Sequence, residues 1–383
     1  MKTIGAVTVA RSDYGIYLPV FRRIQEDPEF QLRIIVAGMH LSPEFGLTVR
    51  AIEEDRFAVS ERVEMLLSSD TAEGVVKSMG LGLIGFAQVY TRLRPDVLLV
   101  LGDRFEMHAA VAAALPFKLP VAHIHGGESS EGAIDEAFRH SITKMSHIHF
   151  VATEEYAKRV IQMGEEPWRV VVSGAPGLDN LRNLRLLTRR ELEGKIGGNL
   201  KDPFLLVTYH PATLGNEQCE MQLQELLTAL AEAQLAVLFT YPNADTGSRE
   251  IIRMIREFVT QSTHAQVAVN LGTRGYFSAM QYARAMVGNS SSGIIEAASF
   301  QLPVVNIGNR QRGRVRGKNV IDVDCNRAEI LAGIARAVSP EFHAGLSDLV
   351  NPYSHGCAAE IIIEKLRSLK LGDALLLKRF YEL

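Results

Sequence analysis

Short runs of apolar residues alternate along this chain with longer segments whose apolar positions recur every three or four residues. The runs predict strands at 4–10, 32–37, 97–101, 121–124, 148–152 and 170–172, with helices at 14–25, 71–92 and 105–115. The pattern pauses over 181–201, a charged stretch that closes on Gly197-Gly198-Asn199. It then restarts, with strands at 204–209, 236–240, 266–271, 285–288, 303–307 and 320–323. Helices are expected between them at 217–232, 248–261, 275–284, 292–300 and 327–338. Such alternation implies parallel sheets covered by helices on both faces. The expectation is therefore α/β, with two doubly wound, Rossmann-like domains over 1–180 and 181–353. A helical closing stretch, 354–383, would pack back on the first domain. Ligands of such sheets bind at the carboxyl ends of strands, and two domains facing each other would leave a cleft.

Composition changes this picture little. A chain of 383 residues is too long for one ordinary core, which agrees with two domains. With 47% hydrophobic and 22% charged residues it reads as globular. A net charge of −3 supplies no field for nucleic acid. One basic cluster stands out, Arg310-Gln311-Arg312-Gly313-Arg314-Val315-Arg316-Gly317-Lys318, which reads equally as an anion-facing or a solvated loop. Cys219, Cys325 and Cys357 match no metal or redox spacing, so a reducing compartment is expected. The opening apolar run is too short for a signal peptide, and no segment reaches membrane-spanning length. These readings point to a cytoplasmic protein with no membrane partner.

The richest stretch is Gly288-Asn289-Ser290-Ser291-Ser292-Gly293-Ile294-Ile295-Glu296, at a predicted strand-to-helix turn. Small residues let the backbone approach a ligand, and free N–H groups with the hydroxyls of Ser290, Ser291 and Ser292 beside Gly293 would hold a diphosphate. Glu296, one turn further in, could accept both hydroxyls of a ribose. A capped, solvated helix start is the plain alternative, weakened by the coincidence of Asn, three Ser, Gly and Glu. Arg11-Ser12-Asp13-Tyr14 follows the first strand, where Arg11 can pair with phosphate and Asp13 reads first as a helix cap. Gly102-Asp103-Arg104-Phe105-Glu106 ends a buried strand and puts Asp103 at its tip. Arg104 has two open roles, a phosphate or Glu106.

His123-Ile124-His125-Gly126-Gly127-Glu128 ends the next strand. Its histidines would share one face, a spacing that suits a metal if His140, His147 or His149 joined them. The stronger reading is a tight glycine turn that presents Glu128. Glu136, His140 and Thr143 with Lys144 fall on one face of a further helix, either as a wet surface pair or as part of the same site. In the second half, His210-Pro211 and Tyr241-Pro242-Asn243 each close a strand and would present His210 and Asn243. Tyr276 opens a helix, either beside a base or in the core.

Taken in order, these motifs resemble the hydrolysing UDP-N-acetylglucosamine 2-epimerases of sialic and related nonulosonic acid biosynthesis. The likeness covers nearly the whole chain and extends to the 310–314 segment. It departs at Ser12, where alanine is usual. The resemblance implies two Rossmann-like domains with the active site between them, and a homodimer or homotetramer. It also implies the reaction, in which a UDP-sugar loses UDP and water adds back with inversion at C2. No metal or redox cofactor is called for. Asp103, Glu128 and Glu136 would stabilise an oxocarbenium-like centre and move the C2 proton, while His210, the fourth catalytic residue, would assist the departing UDP. Mutual repulsion would spread the carboxylate pKa values. Arg11, Arg104, Asn243, Tyr276, Ser290, Ser291, Ser292, Gly293, Glu296 and Arg314 would bind the UDP-sugar. UDP-N-acetylglucosamine leads as substrate, with UDP-2,4-diacetamido-2,4,6-trideoxyglucose or a non-hydrolysing epimerisation as alternatives. A glycosyltransferase, or a catalytically silent UDP-sugar sensor, would need fewer acidic residues at the site.

Overall fold

The first apolar run becomes β1 (Lys2–Thr8), and α1 (Arg11–Glu26) follows it almost at once. The computed structural model describes residues 1–67, 69, 71–131, 134–211, 219–242, 248–269 and 271–383, with Asn183 as backbone only. Next come β2 (Phe30–Ala37), α2 (Val49–Glu54), β3 (Val59–Val63), α3 (Ala72–Arg92), β4 (Val97–Leu101), α4 (Phe105–Ala114) and β5 (Val121–Ile124). Then α5 (Asp135–Met145), β6 (Ile148–Val151), α6 (Glu154–Gln162), β7 (Val170–Val172) and the short α7 (Asn180–Asn183) complete the first half. All seven strands are parallel, in the order β3-β2-β1-β4-β5-β6-β7. The winding therefore reverses between β1 and β4, where such sheets bind ligands.

Alternation along each strand builds two cores. Ile4 and Ala6, Ile34 and Val36, Leu99 and Leu101 pack with Tyr17, Val20 and Phe21 of α1. Their neighbours Val7, Ile35, Leu98 and Val100 pack on the other face with Phe86 and Tyr90 of α3 and Met107 and Val111 of α4.

The second half repeats the plan with α8 (Arg189–Ile196), β8 (Phe204–Thr208), α9 (Cys219–Ala233), β9 (Ala236–Thr240), α10 (Ser248–Gln261) and β10 (Ala265–Ala268). It continues through α11 (Gly272–Tyr282), β11 (Ala285–Gly288), α12 (Ser291–Ile295), β12 (Val304–Ile307), β13 (Val320–Val323), α13 (Arg327–Ala337) and α14 (Pro340–Ala344). Its six parallel strands run β10-β9-β8-β11-β12-β13, reversing between β8 and β11. Both halves are thus Rossmann-like.

The chain ends with α15 (Ala358–Ser368) and α16 (Asp373–Leu376). Asp179 accepts the amides of Ala358 and Ala359 at 3.2 and 2.7 Å, which starts α15 where its own N-cap, Cys357, makes no side-chain cap. Ile362, Ile363 and Leu366 then enter the core beside α1, each worth about 1.5–3 kcal/mol of burial. By contacts, Met1–Glu128, Asp135–Arg182 and Tyr353–Leu383 form one compact unit, and Ser129–Ile134 with Asn183–Pro352 form the other.

Several expected bounds move. The first helix opens at Arg11, three residues before the periodic pattern, with extended Ala10 as its N-cap. Asp13 is consequently a buried first-turn residue and not the cap. α2 was not expected, nor was β3, whose Val59-Ser60-Glu61-Arg62-Val63 carries polar side chains on an edge strand. The helix expected at 292–300 splits into α12 and a 3-10 turn, Ala297–Phe300.

Candidate functional site

In the first unit the chemistry gathers after β4 and β5. Asp103 follows Gly102 at the end of β4 and pairs with the guanidinium of Arg139, which is almost fully buried. Arg139 also donates to Glu136 at 3.1 Å, and the other Glu136 oxygen meets His140 Nε2 at 3.1 Å. Because α5 carries Glu136, Arg139 and His140 at spacings of three and four, one helix holds this whole row. A cation therefore bridges Asp103 and Glu136, so they are joined and do not face each other in bare repulsion. The sequence reading gave Arg139 no role of its own. Its signal was there, since an arginine three residues after Glu136 lies on the same helical face.

Glu128 is buried, with Oε1 2.5 Å from His125 Nδ1. His125 has φ +64, outside the strand region, so β5 ends before it and the expected shared face with His123 does not form. Gly127 has φ +75, and a Cβ there would lie 2.7 Å from the Tyr156 carbonyl, so this turn requires glycine. A Cβ on Gly126 would press on His123 and Thr143 at 3.0 Å each.

His123 is fully buried, and burial brings its pKa down to about 3. The neutral ring can donate from Nε2 to the Gly102 carbonyl at 2.8 Å and accept from the Thr143 hydroxyl at 3.2 Å. It thus braces the turn that carries Asp103. His147 accepts the Val121 amide at 3.1 Å, and His149 meets Glu165 at 2.9 Å. Among the described residues no group of three or more His, Cys, Asp or Glu is placed to hold a metal.

Arg104 makes a two-pronged contact with fully buried Glu106 at 3.2 and 3.1 Å, realising one of its two open roles. Burial pushes the Asp13 carboxyl up to about 7, while Arg104 draws it down and Glu106 and Asp103 raise it further. Asp13 Oδ2 has no hydrogen-bond partner among the described residues. His40 sits between the Thr8 and Thr48 hydroxyls at 2.9 and 2.8 Å, and burial lowers its pKa to about 4. Arg11 is half-buried at the first position of α1.

In the second unit the serines follow β11. Gly288 has φ +138, and a Cβ there would collide with the Thr208 carbonyl, so only glycine lets β11 end against β8. Asn289 clasps His210 through both backbone groups, accepting its N–H at 2.7 Å and donating to its carbonyl at 2.8 Å. Ser290 is the N-cap of α12 and accepts the Ser292 amide at 3.3 Å. Since α12 is barely more than one turn and its Ser292 and Gly293 amides turn back onto Ser290, the serine hydroxyls, more than any helix dipole, suit an anion.

Tyr276 stands on α11 with its hydroxyl 3.3 Å from that of Thr208, and it also hydrogen-bonds Ser290 and Ser292. Burial raises its pKa to about 12. It braces the serine loop. Glu296 is the C-cap of α12, and Gly293 lies within that helix. Arg314 donates to the Ser129 carbonyl at 3.0 Å and the Ser130 hydroxyl at 3.4 Å. Asn243 lies outside the described residues. A hollow of about 840 Å³ in this unit is lined by Pro203, Leu235, Arg284 and Leu302, all just before strands, so it lies at the opposite end of the sheet from the serines.

The sequence matches the family model described as UDP-N-acetylglucosamine 2-epimerase over residues 22–367. It is 37% identical over 379 residues to the UDP-N,N'-diacetylbacillosamine 2-epimerase (hydrolyzing) of Legionella pneumophila, covering 99% of each chain. The GDP/UDP-N,N'-diacetylbacillosamine 2-epimerase (hydrolyzing) of Campylobacter jejuni is 38% identical over 327 residues, 85% of each chain. The polysialic acid biosynthesis protein P7 of Escherichia coli is 38% identical over 355 residues, 92% of this chain and 90% of that one. In fold, the chain is similar to UDP-GlcNAc 2-epimerase from Neisseria meningitidis solved with UDP-GlcNAc, with TM-score 0.83, 18% identity, and 96% and 100% of the two chains covered. Two parallel Rossmann-like sheets, the ordered carboxylate and serine motifs and these matches agree: the chain belongs to the hydrolysing UDP-N-acetylglucosamine 2-epimerase family and is an enzyme of that family.

Proposed function

We propose that this enzyme takes a UDP-2-acetamido sugar and water to UDP and the free 2-epimer, and that the sugar is the 2,4-diacetamido-2,4,6-trideoxy one. The observation that carries the chemistry is the Asp103–Arg139–Glu136–His140 row with the Glu128–His125 pair. The C2 proton is too weakly acidic to be removed directly. As the C1–O bond breaks, its electron pair leaves with UDP, and the oxocarbenium-like centre acidifies the C2 proton. A carboxylate takes that proton, and the C2–H pair closes the C1–C2 double bond. Water then adds to C1 while a proton returns to the opposite face of C2.

Asp103, Glu128 and Glu136 are assigned to charge stabilisation and proton transfer. Arg11, Arg104, His210, Tyr276, Ser290, Ser291, Ser292, Gly293, Glu296 and Arg314 are assigned to the UDP portion, Glu296 to its ribose. Two of the relatives bear names with diacetylbacillosamine, one of them matched over 99% of its length, which supports that sugar over UDP-N-acetylglucosamine. UDP-N-acetylglucosamine is the second reading, favoured by the polysialic acid relative. Cys219, Cys325 and Cys357 form no disulfide among the described residues, which suits a reducing cytoplasm. Exposed Val76, Leu83 and Ile84 on α3 suit a second copy of the chain in a homodimer or homotetramer.

An NMR time course in D2O with each UDP-sugar tests the reading. Expected are UDP and a 2-epimerised free sugar carrying deuterium at C2, from the diacetamido substrate first. UDP release without epimerisation would overturn the mechanism. Glu128→Gln and Asp103→Asn should lose roughly 100-fold or more in turnover and keep UDP affinity. Glu296→Ala should weaken UDP binding, and unchanged affinity would remove its ribose role.

A further inference from the structure

Helix α5 is anchored at both ends, and only one end faces the carboxylates. Its first half carries Glu136, Arg139 and His140, and Thr143 holds His123 against the Asp103 turn. Its last turn meets a cluster that the chemistry above does not use. Glu165 is fully buried and receives Lys144 at 2.7 Å, His149 at 2.9 Å and Lys378 at 2.8 Å. Burial opposes its ionisation, but His149 and the two lysines outweigh that and bring its pKa to about 2.

Lys378 comes from the closing segment of the chain. Its ammonium also donates to the carbonyls of Lys144 and Ser146 at 2.7 and 2.6 Å. These are carbonyls at the end of α5, with no i+4 amide of that helix to bind them, and a cation there also complements the helix terminus. The segment that delivers Lys378 is itself held. Fully buried Arg169 donates to the carbonyls of Leu375 and Leu377 at 2.8 and 2.9 Å, and to that of His147 at 3.2 Å. Tyr381 donates its amide to the Gly164 carbonyl at 2.9 Å, and the Phe380 ring fills the space where a Gly164 side chain would stand.

We propose that Lys378 is a positioning residue for the reaction: by capping the end of α5 and pairing with Glu165, it sets where that helix holds Glu136, Arg139 and His140. The role in turnover rests on the functional reading above; the hold on α5 does not. A shift of about 1 Å in such groups costs on the order of 100-fold in rate, so a partial loosening should be visible.

The test compares Lys378→Met with Lys378→Arg in the full chain, by steady-state kinetics on the UDP-sugar and by amide hydrogen exchange without substrate. For Lys378→Met the expectation is kcat down roughly tenfold or more, with KM and UDP affinity unchanged. Amides in the second half of α5 should exchange at least about tenfold faster while β1 and β2 stay protected. Lys378→Arg should restore most of both. Lys378→Gln carries the same comparison if the methionine variant does not fold. Faster exchange with kcat within twofold of wild type would overturn the positioning role, as would an arginine variant as impaired as the methionine one. Unchanged α5 exchange overturns the hold itself. If the wild type releases UDP from neither sugar, the functional reading fails, and exchange alone still decides whether Lys378 fixes α5.

Discussion

Replacing Arg139 by leucine tests the arrangement most directly. Arg139 is 1% exposed and is the shared partner of Asp103 and Glu136, whose side chains are 26% and 28% exposed. Removing one partner of a fully buried pair costs about 3–5 kcal/mol, because the other charge is left uncompensated. Here two carboxylates lose their cation, but water reaches each of them in part and screens the loss. The cost expected for Arg139→Leu is therefore about 2–4 kcal/mol at pH 7.

Its pH dependence has a definite sign. The penalty comes from carboxylates left without their cation, so it is smallest in acid, where both are protonated, and grows as pH rises and they ionise. Urea unfolding of both proteins from pH 4 to 8 measures it. A double-mutant cycle with Asp103→Asn should give a coupling of about 1–2 kcal/mol. UDP titration calorimetry should show unchanged affinity beside lost turnover. A cost under about 1 kcal/mol that does not vary with pH would refute the bridge.

Three further outcomes are expected. Burial holds the folded Asp13 carboxyl up at about 7, against an ordinary 3.8, so its stabilising contribution is complete below the lower value and lost as pH rises through the higher. Asp13→Asn should therefore gain on wild type by up to about 4 kcal/mol at pH 8–9 and match it near pH 4, as read by pH-dependent unfolding. Glu165 has the opposite sign: its folded pKa of about 2 gives stability that is present above 4.5 and lost as pH falls towards the lower value. Glu165→Gln should lose roughly 3 kcal/mol or more at pH 7 and show a flatter acid limb; an unchanged limb would sink the buried cluster as its cause. Gly288→Ala must place a methyl on the Thr208 carbonyl, so UDP binding should be lost in calorimetry, and near-normal affinity would contradict the close approach of β11 and β8.

The alternation of apolar runs with helical periods was enough to establish two parallel-sheet halves, because burial on both faces leaves a near-continuous hydrophobic run that little else produces. Strands 97–101, 121–124, 236–240 and 285–288 agree with that reading to the residue. Local chemistry was legible wherever its cause was local. Gly288, the Ser290 cap and the Gly127 turn each act through the backbone within a few residues. The edge strand β3 was not legible, since one wet face and a polar middle erase the pattern. Partnerships were also hidden. Glu128 with His125 is short-range, but Arg139 on Asp103, His123 on Gly102, and Lys378 on the end of α5 join residues separated by 36, 21 and 234 positions. No periodicity encodes such distances. Sequence names which carboxylates exist, while the packing of α5 against β4, β5 and the closing segment decides which of them share a cation and where they are held.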